Sequence, residues 1–393
     1  MKIIIHRGTH QIGGVATEIC TKRARLLFDM GDELSLEPDF VSAPLEIDGV
    51  TNEKGDCDGV LFTHYHGDHV GQMMSVREDI PLYIGGLAKD IMQKSTERKI
   101  CVDKALCQRI EKMRTFEGGV PMEFGDVRVT PYSIDHSAPD SYLFLIEAEG
   151  KRVLLTGDFR MHGFRGGAMV KILNKIGKVD VVITEGTTLS RGAGKPVTER
   201  ELQQRVREYM AKYKYAFVLC STTSLERICA LSKAVPQGKY FVCDGYQREL
   251  IELLEKHWHS YSSLYDCIKK TTYGDNLLPK LRQRGFLMLV RDNKEFREII
   301  KKFDRSQSII LYSMWDGYRT RQGSTIPDFL QLAGTWETLH TSGHATKDGI
   351  RTLLSILKPT TVIPMHTDFP EAIKDICSDG ALRLARDGEE III

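Results

Sequence analysis

The sequence contains no Cys-x-x-Cys pair. Its nine cysteines (Cys20, Cys57, Cys101, Cys107, Cys220, Cys229, Cys243, Cys267 and Cys377) are odd in number and scattered. That excludes a disulfide framework, a thiolate zinc site and a dithiol redox motif, and leaves most of them as small buried hydrophobes in a reducing compartment. No apolar run approaches the roughly 20 residues of a membrane helix. Met1-Lys2-Ile3-Ile4-Ile5-His6-Arg7-Gly8 is too short for the apolar core of a signal peptide and reads as a first strand. A cytoplasmic protein without membrane contact is expected. Net charge is almost lacking: 54 Lys and Arg against 53 Asp and Glu leave +1, so the chain as a whole is no obvious nucleic-acid binder. The average conceals an asymmetry, with about seven excess positive charges over residues 198–330 and about six negative over the rest. Solvated helix faces account for such an excess as well as a polyanionic partner does. There is no internal repeat and no low-complexity tract, which excludes a solenoid. At 393 residues, 41% hydrophobic and 27% charged, the chain is of globular composition and long enough for two or three domains.

Short apolar runs separated by turns fill the first half: Leu26-Leu27-Phe28, Val60-Leu61-Phe62, residues 141–146, Arg152-Val153-Leu154-Leu155 and residues 179–183. Strand, loop and occasional helix alternate, so the class is α/β or α+β. The texture changes at Ser190-Arg191-Gly192-Ala193-Gly194-Lys195-Pro196. Thr198-Glu199-Arg200-Glu201 then opens a capped helix running to about Lys212. A strand at 215–220, a helix at 224–234, a strand at 239–243 and a helix at about 248–256 follow, the pattern of a parallel sheet. Residues 308–312 read as a further buried strand; segment 260–300 is assigned no role. After about Ile326 the first texture returns, with a helix over 347–357 and the strand Thr361-Val362-Ile363-Pro364-Met365-His366. The expected domains are 1–192, 193–325 and 326–393, the first and last forming one fold around the middle one.

Directly after Gly59-Val60-Leu61-Phe62 stands Thr63-His64-Tyr65-His66-Gly67-Asp68-His69. Three imidazoles and one carboxylate fall within six residues, and neutral imidazole and carboxylate are preferred ligands of zinc. A His-rich loop that binds nothing would have no partners elsewhere. This one has candidates at strand ends: His136 in Ser133-Ile134-Asp135-His136, Asp158 in Leu154-Leu155-Thr156-Gly157-Asp158, and His366. Singly, a strand-end histidine is usually a satisfied core or surface residue; together these supply ligands for two metals.

This order of His-x-His-x-Asp-His, distant His, Thr-Gly-Asp and late His resembles the metallo-β-lactamase superfamily. The resemblance implies an α/β fold, an αββα sandwich. It also implies one zinc on His64, His66 and His136, a second on Asp68, His69 and His366, and Asp158 bridging the two. Asp29, in Leu27-Phe28-Asp29-Met30-Gly31, resembles a supporting acid that is not a ligand; a plain turn Asp is the alternative. Two Zn2+ ions, or Mn2+ in their place, roughly 3.5–4 Å apart would share a hydroxide and polarise a scissile phosphoryl or carbonyl group, with Asp68 orienting the water.

Glu185 after the apolar run 181–184, His340-Thr341-Ser342-Gly343-His344-Ala345 and the closing His366, with an α/β insertion between the first two, resemble the β-CASP nucleases, the group of ribonuclease J. The resemblance makes Glu185 and His344 catalytic beside Asp68. It places His340, Ser342 and His344 on the scissile phosphate, His344 protonating the leaving oxygen. Ser224, in Cys220-Ser221-Thr222-Thr223-Ser224, would join them from a helix N-terminus. The plain alternatives are a helix entry at 342–344 with Thr346 as its cap, and a helix cap at Ser224. The chain departs from ribonuclease J in three places. Gly8 to Gly14 matches its Gly-rich signature imperfectly, residues 312–321 replace its Pro-Gly-Asn segment, and its C-terminal domain has no counterpart after His366. Trp315 and Tyr318, with Arg319 and Arg321, suit either stacking on a single strand or packing at the domain junction. The expected function is zinc-dependent phosphodiester hydrolysis in nucleic acid, single-stranded RNA before DNA, in a cleft between the domains. The alternatives are a metallo-β-lactamase-fold hydrolase of a small phosphodiester, thioester or lactam, and a silent paralogue that binds RNA or protein. Exonuclease or endonuclease mode, and a homodimer, are left open by the sequence.

Overall fold

The computed structural model describes residues 1–37, 39–53, 55–98, 103–190, 196–258, 265, 269–377 and 381–393. Cys101, Cys267, the linker at 191–195 with the expected 192/193 boundary, and 259–264 and 266–268 of the segment 260–300 lie outside the described residues. Two compact units divide the chain. One comprises Met1–Leu34, Val41–Lys195 and Gly343–Ile393, the other Ser35–Phe40 and Pro196–Ser342.

The first unit is a sandwich of two sheets. One has seven strands in the order Glu390–Ile392, Lys2–Arg7, Ala16–Cys20, Arg25–Phe28, Gly59–Leu61, Leu82–Gly85 and Arg114–Phe116. The other has six, in the order Thr361–Met365, Val181–Glu185, Lys151–Leu155, Tyr142–Ala148, Val127–Ser133 and Met122–Phe124. Alternate residues of both sheets meet in one core: Ile3, Ile5, Ile19, Leu26 and Phe28 against Phe144, Ile146, Val153, Leu155, Val181, Ile183 and Ile363. The opposite faces are apolar too, because each is covered by helices. Leu27, Val60 and Leu82 pack with Ala88 and Ile110 of helices Gly86–Glu97 and Lys104–Glu111. Leu145, Leu154 and Val182 pack with Leu173 and Leu353 of helices Gly166–Ile176 and Lys347–Leu357. The four layers are the expected αββα fold. The strand Thr361–Met365, from the far end of the chain, pairs in parallel with Val181–Glu185 and so completes the second sheet.

The second unit has a six-stranded all-parallel sheet in the order Thr271–Thr272, Tyr240–Cys243, Phe286–Val290, Tyr215–Cys220, Ser308–Ser313 and Thr335–Thr338. The helix opening at Thr198 carries a complete capping box with Glu201. Two features depart from the sequence reading. The segment 260–300 holds a central strand, Phe286-Leu287-Met288-Leu289-Val290, buried along its whole length after the turn at Gly285. Residues 326–342, expected with the first fold, belong to the second unit. Phe329 and Leu330 enter its core, and Thr335–Thr338 continues its sheet beside Ser308–Ser313. The seven described cysteines are all free, and burial pushes the Cys220 and Cys243 thiols up to about 12, so neither is a reactive thiolate. Cys20, Cys57, Cys107 and Cys377 are only half-buried. Among the described residues no helix is long and apolar enough to cross a membrane.

Candidate metal centre

Strands Lys151–Leu155, Val181–Glu185 and Thr361–Met365 run parallel and adjacent, so the residues that follow or end them emerge at one sheet edge. That edge delivers Asp158, Glu185 and His366. The run 63–69 arrives from the end of Gly59–Leu61 in the other sheet, its last three residues turning into the short helix Gly67–Val70. His136 follows Val127–Ser133. The sandwich thereby brings together every ligand that the resemblance implied. The donor atoms of His64, His66 and His136 form one group, those of Asp68, His69, Asp158 and His366 a second, and the atoms of each group lie within 4.8 Å of one another. Asp158 lies between them: its Oδ2 is 3.8 Å from His64 Nε2, 4.0 Å from His136 Nε2 and 3.2 Å from His69 Nε2, and its Oδ1 is 3.8 Å from His366 Nε2.

The remote nitrogens fix the tautomers, assigned here from the partners. His136 Nδ1 donates to the Gly343 carbonyl at 2.7 Å. A carbonyl only accepts, so Nε2 carries the lone pair. His69 Nδ1 lies 2.8 Å from Asp29 Oδ2 and donates to it. Asp29 in turn accepts from the Thr63 amide at 2.7 Å and the Thr63 hydroxyl at 2.9 Å. The Thr63 hydroxyl, already donating, accepts from His64 Nδ1 at 3.0 Å. The Thr187 hydroxyl, 3.2 Å from the His366 carbonyl to which it donates, accepts from His366 Nδ1 at 2.8 Å. Four rings therefore turn Nε2 inward, while His66 turns its Nδ1 inward, 3.1 Å from His64 Nε2 and 3.2 Å from His136 Nε2. Orienting partners of this kind set ring direction and raise ligand basicity.

The electrostatics suit a cation. Burial, with His69, His136 and His66 crowding it, holds His64 well below the ordinary imidazole value; burial also lowers His66 and His136, which favours the neutral form in which imidazole can hold a metal. Burial opposes ionisation of Asp158, yet His366, His69 and His344 overcome it and hold the carboxyl well below its usual range. His69 is raised well above the ordinary value against its own burial, by Asp158 and Asp29. His69 Nε2 and both oxygens of Asp158 are buried and make no hydrogen bond, their 3.2 Å approach being misaligned for one. Orphaned buried polar atoms in a cluster of imidazole and carboxylate donors fit a divalent metal.

Asp29 and His366 hold their positions with left-handed backbone, φ 60° and 53°. Strain of this kind in a non-glycine residue costs about 1–3 kcal/mol and persists where surrounding structure enforces it. The His366 amide is held by the Gly8 carbonyl at 2.7 Å. Gly31 is required by contact: a Cβ there would fall 1.7 Å from the Asp68 carbonyl oxygen.

Models of two families match the sequence: a beta-lactamase superfamily domain over residues 27–200, and a Zn-dependent metallo-hydrolase RNA specificity domain over residues 332–374. The chain thus carries a beta-lactamase superfamily domain and resembles the β-CASP nucleases, the group of ribonuclease J. Ribonuclease J of Mycoplasma genitalium is 21% identical over 360 residues, 82% of this chain and 60% of that protein. Ribonuclease J of Helicobacter pylori is 20% identical over 94% of this chain and 56% of its own length. An RNase J-like protein of Methanocaldococcus jannaschii is 25% identical over 52% of this chain. The chain thus spans about half the length of the curated relatives it matches, from 47% to 60% for these three. A crystal structure of a protein of unknown function from Enterococcus faecalis shares the fold, with a TM-score of 0.79 at 19% identity, covering 100% of this chain and 99% of that one.

Beside this donor cluster, Glu185 and His344 stand next to Asp158. His344 Nδ1 is 3.2 Å from Glu185 Oε2 and 3.5 Å from Asp158 Oδ2. Burial disfavours its charge, but Glu185 and Asp158 prevail and raise it to about 9. The Glu185 carboxylate is fully engaged. Its Oε1 accepts from the amides of Phe159 at 2.9 Å and Ala345 at 3.1 Å, and its Oε2 accepts from the Thr187 amide at 3.3 Å. Thr346 caps helix Lys347–Leu357 through the Gly349 amide, so the cap and His344 coexist. In the second unit, Ser224 occupies the N-cap of helix Leu225–Ala234 without a side-chain cap bond, and His340 Nδ1 lies 3.3 Å from Arg227 Nη1. Sequence reasoning missed the buried pair of Asp135 and Arg160. Arg160 Nε donates to Asp135 Oδ1 at 2.7 Å and its amide to the Asp135 carbonyl at 2.7 Å, tying the His136 loop to the Asp158 loop. The available signal was a charge flanking each motif: Asp135 before His136, and Arg160 two residues after Asp158.

Proposed function

We propose that the chain is a metal-dependent phosphodiesterase that hydrolyses single-stranded RNA. The observation that carries this is the Asp158 carboxylate, buried between two donor groups with both oxygens lacking a hydrogen bond. Two ions, Zn2+ or Mn2+, would be held by His64, His66 and His136 and by Asp68, His69 and His366, with Asp158 shared. Bound there, they supply Lewis-acid activation of water and neutralise charge on the phosphoryl group. Asp68 accepts a proton from the attacking water and orients it. His344, its side chain 22% exposed while Glu185 beside it is buried, protonates the leaving oxygen. Glu185 acts through His344 and the Phe159 and Ala345 amides, a positioning role rather than contact with substrate. On the second unit, His340, Ser342 and Ser224 are the proposed phosphate-binding residues. RNA is favoured as substrate by the match to the RNA specificity domain and by the ribonuclease names of the relatives. The test is hydrolysis of 5′-labelled single-stranded RNA and DNA, with chelator and after restoring Zn2+ or Mn2+. Protein shown to carry metal that cleaves neither polymer refutes the proposal.

A further inference from the structure

The second unit carries an unassigned aromatic cluster at one end of its parallel sheet. Cys220 pairs with Ser313, and Tyr312 with Thr338, so the segments leaving three neighbouring strands emerge side by side at their carboxyl ends. After Tyr215–Cys220 the chain builds strands on one side of it through Phe286–Val290, then crosses to the other side with Ser308–Ser313. Open parallel sheets bind ligands at the carboxyl ends of the strands beside such a reversal. One buried side chain joins the three segments. Arg227, on the helix that follows the first strand, pairs with Glu199 at 2.6 Å and donates to the Thr341 carbonyl at 3.0 Å. Its Nη1 reaches the Ser313 carbonyl at 3.4 Å and His340 Nδ1 at 3.3 Å.

The middle segment carries Trp315 and Tyr318, 40% and 46% exposed, in edge-to-face contact at 5.6 Å. These rings are held. The Tyr312 hydroxyl donates to the Trp315 carbonyl at 2.7 Å, and Gly317 lies under the indole, where a Cβ would fall 2.3 Å from the ring. Arg321 lies 5.9 Å from the Tyr318 ring; Arg319 lies 5.5 Å from the Trp336 ring and is forked onto Asp316. An exposed Trp315–Tyr318 pair with the Arg321 guanidinium over the Tyr318 ring, in the basic part of the chain, matches how proteins bind single strands: bases stack on rings and cations follow the backbone. A protein partner would use the rings without needing the cations.

We infer that Trp315 and Tyr318 form a base-stacking platform for single-stranded nucleic acid, beside the segment that carries His340. The inference rests on the nuclease reading and adds to it a base-binding subsite made by this chain's own residues. The test is fluorescence anisotropy of a labelled strand of about ten nucleotides on the full, metal-loaded chain. The strand has a 2′-O-methyl phosphorothioate backbone that resists hydrolysis, and an abasic strand of the same backbone is the control. Trp315→Ala and Tyr318→Ala are each expected to weaken binding of the base-bearing strand about 5- to 100-fold. Trp315→Phe and Tyr318→Phe recover most of the loss, and the abasic strand binds every variant alike. Circular dichroism confirms that the alanine variants fold. Alanine variants that bind the base-bearing strand within about twofold of the unaltered chain overturn the platform alone, as does an equal loss on the abasic strand. Failure of the unaltered chain to bind any strand overturns the platform and the nuclease reading together.

Discussion

Asp29→Asn tests whether orientation of the ligand rings, beyond their presence, builds the metal centre. Asn is nearly isosteric and tolerates the φ of 60° at this position, so the backbone need not move. The carboxylate accepts three times: from the Thr63 amide at 2.7 Å, from the Thr63 hydroxyl at 2.9 Å and from His69 Nδ1 at 2.8 Å. An amide has only one oxygen to offer. If that oxygen stays on the Thr63 amide, the NH2 faces His69 Nδ1 and the hydroxyl. The imidazole can then accept at Nδ1 only by moving its proton to Nε2, the atom turned toward the metal. If the amide flips, its NH2 opposes the Thr63 N–H, and two buried donors collide.

Either orientation carries a cost that can be sized. Loss of an orienting partner lowers metal affinity by about 10- to 100-fold, which is about 1.4–2.8 kcal/mol. A buried donor left without an acceptor costs about 1–3 kcal/mol of stability. The affinity loss falls directly on the group of Asp68, His69 and His366, and reaches that of His64, His66 and His136 only at second hand, through the Thr63 hydroxyl that donates to Asp29 and faces His64 Nδ1. The assay is a Zn2+ titration against a chromophoric competitor, resolving two binding steps, with thermal unfolding of the metal-free protein alongside. One step weakened clearly more than the other is the expected result. Two unchanged steps, with unfolding unaltered, would show that the tautomer argument is wrong.

Gly31→Ala places a Cβ against the Asp68 carbonyl and forces the 63–69 run to shift. It should cost about 1–3 kcal/mol by overpacking and lower bound metal measured by mass spectrometry after dialysis. Arg160→Leu removes the cation on Asp135 Oδ1 and leaves the buried carboxylate the Arg165 amide on Oδ2. Breaking one side of a buried pair costs about 3–5 kcal/mol, read as a drop in the urea midpoint, and unchanged unfolding would refute the clamp. Glu18, buried beside His6 and Arg25, is held below the usual carboxyl range by their hydrogen bonds against its own desolvation. A depressed folded value stabilises above the unfolded value and loses that contribution as pH falls. The stability gap between the unaltered chain and Glu18→Gln, about 1–3 kcal/mol near neutrality, should therefore narrow below about pH 4. A gap that is constant with pH would exclude the charge as its source.

Strand ends were the most legible part of this chain because apolar runs and the residues that stop them are adjacent in sequence. Asp158, Glu185 and His366 each follow such a run, and parallel pairing of their strands brings all three to one edge. The strand Phe286–Val290 has the same texture, but it sits among short, strongly charged helices that obscure it. Its central place depends on pairing with Tyr215–Cys220 and Tyr240–Cys243, partners distant in sequence. The return to the first fold was read at 326 because a short helix and an alternating strand there look alike in either unit. Only the parallel pairing of Thr335–Thr338 with Ser308–Ser313 decides it.

The ligands and the groups that orient them differ in legibility for a related reason. A metal needs several unusual residues in a fixed order, so His64 to His69 stand out by composition. Orientation needs only one hydrogen-bonding atom in the right place, and common residues supply it: the Thr63 hydroxyl, the Thr187 hydroxyl, the Gly343 carbonyl. None is unusual in type, and each becomes visible only when the fold brings it to a ring. Gly343 shows how closely the two are joined. Its carbonyl sets the tautomer of His136, and it precedes His344, whose charge is held by Glu185. A Cβ at 343 would also fall 2.5 Å from the Ser137 hydroxyl, so glycine is needed for the chain to approach His136. One short segment thus orients a ligand of the first donor group and presents the proposed proton donor beside Asp158, which links metal binding and proton delivery through the same backbone.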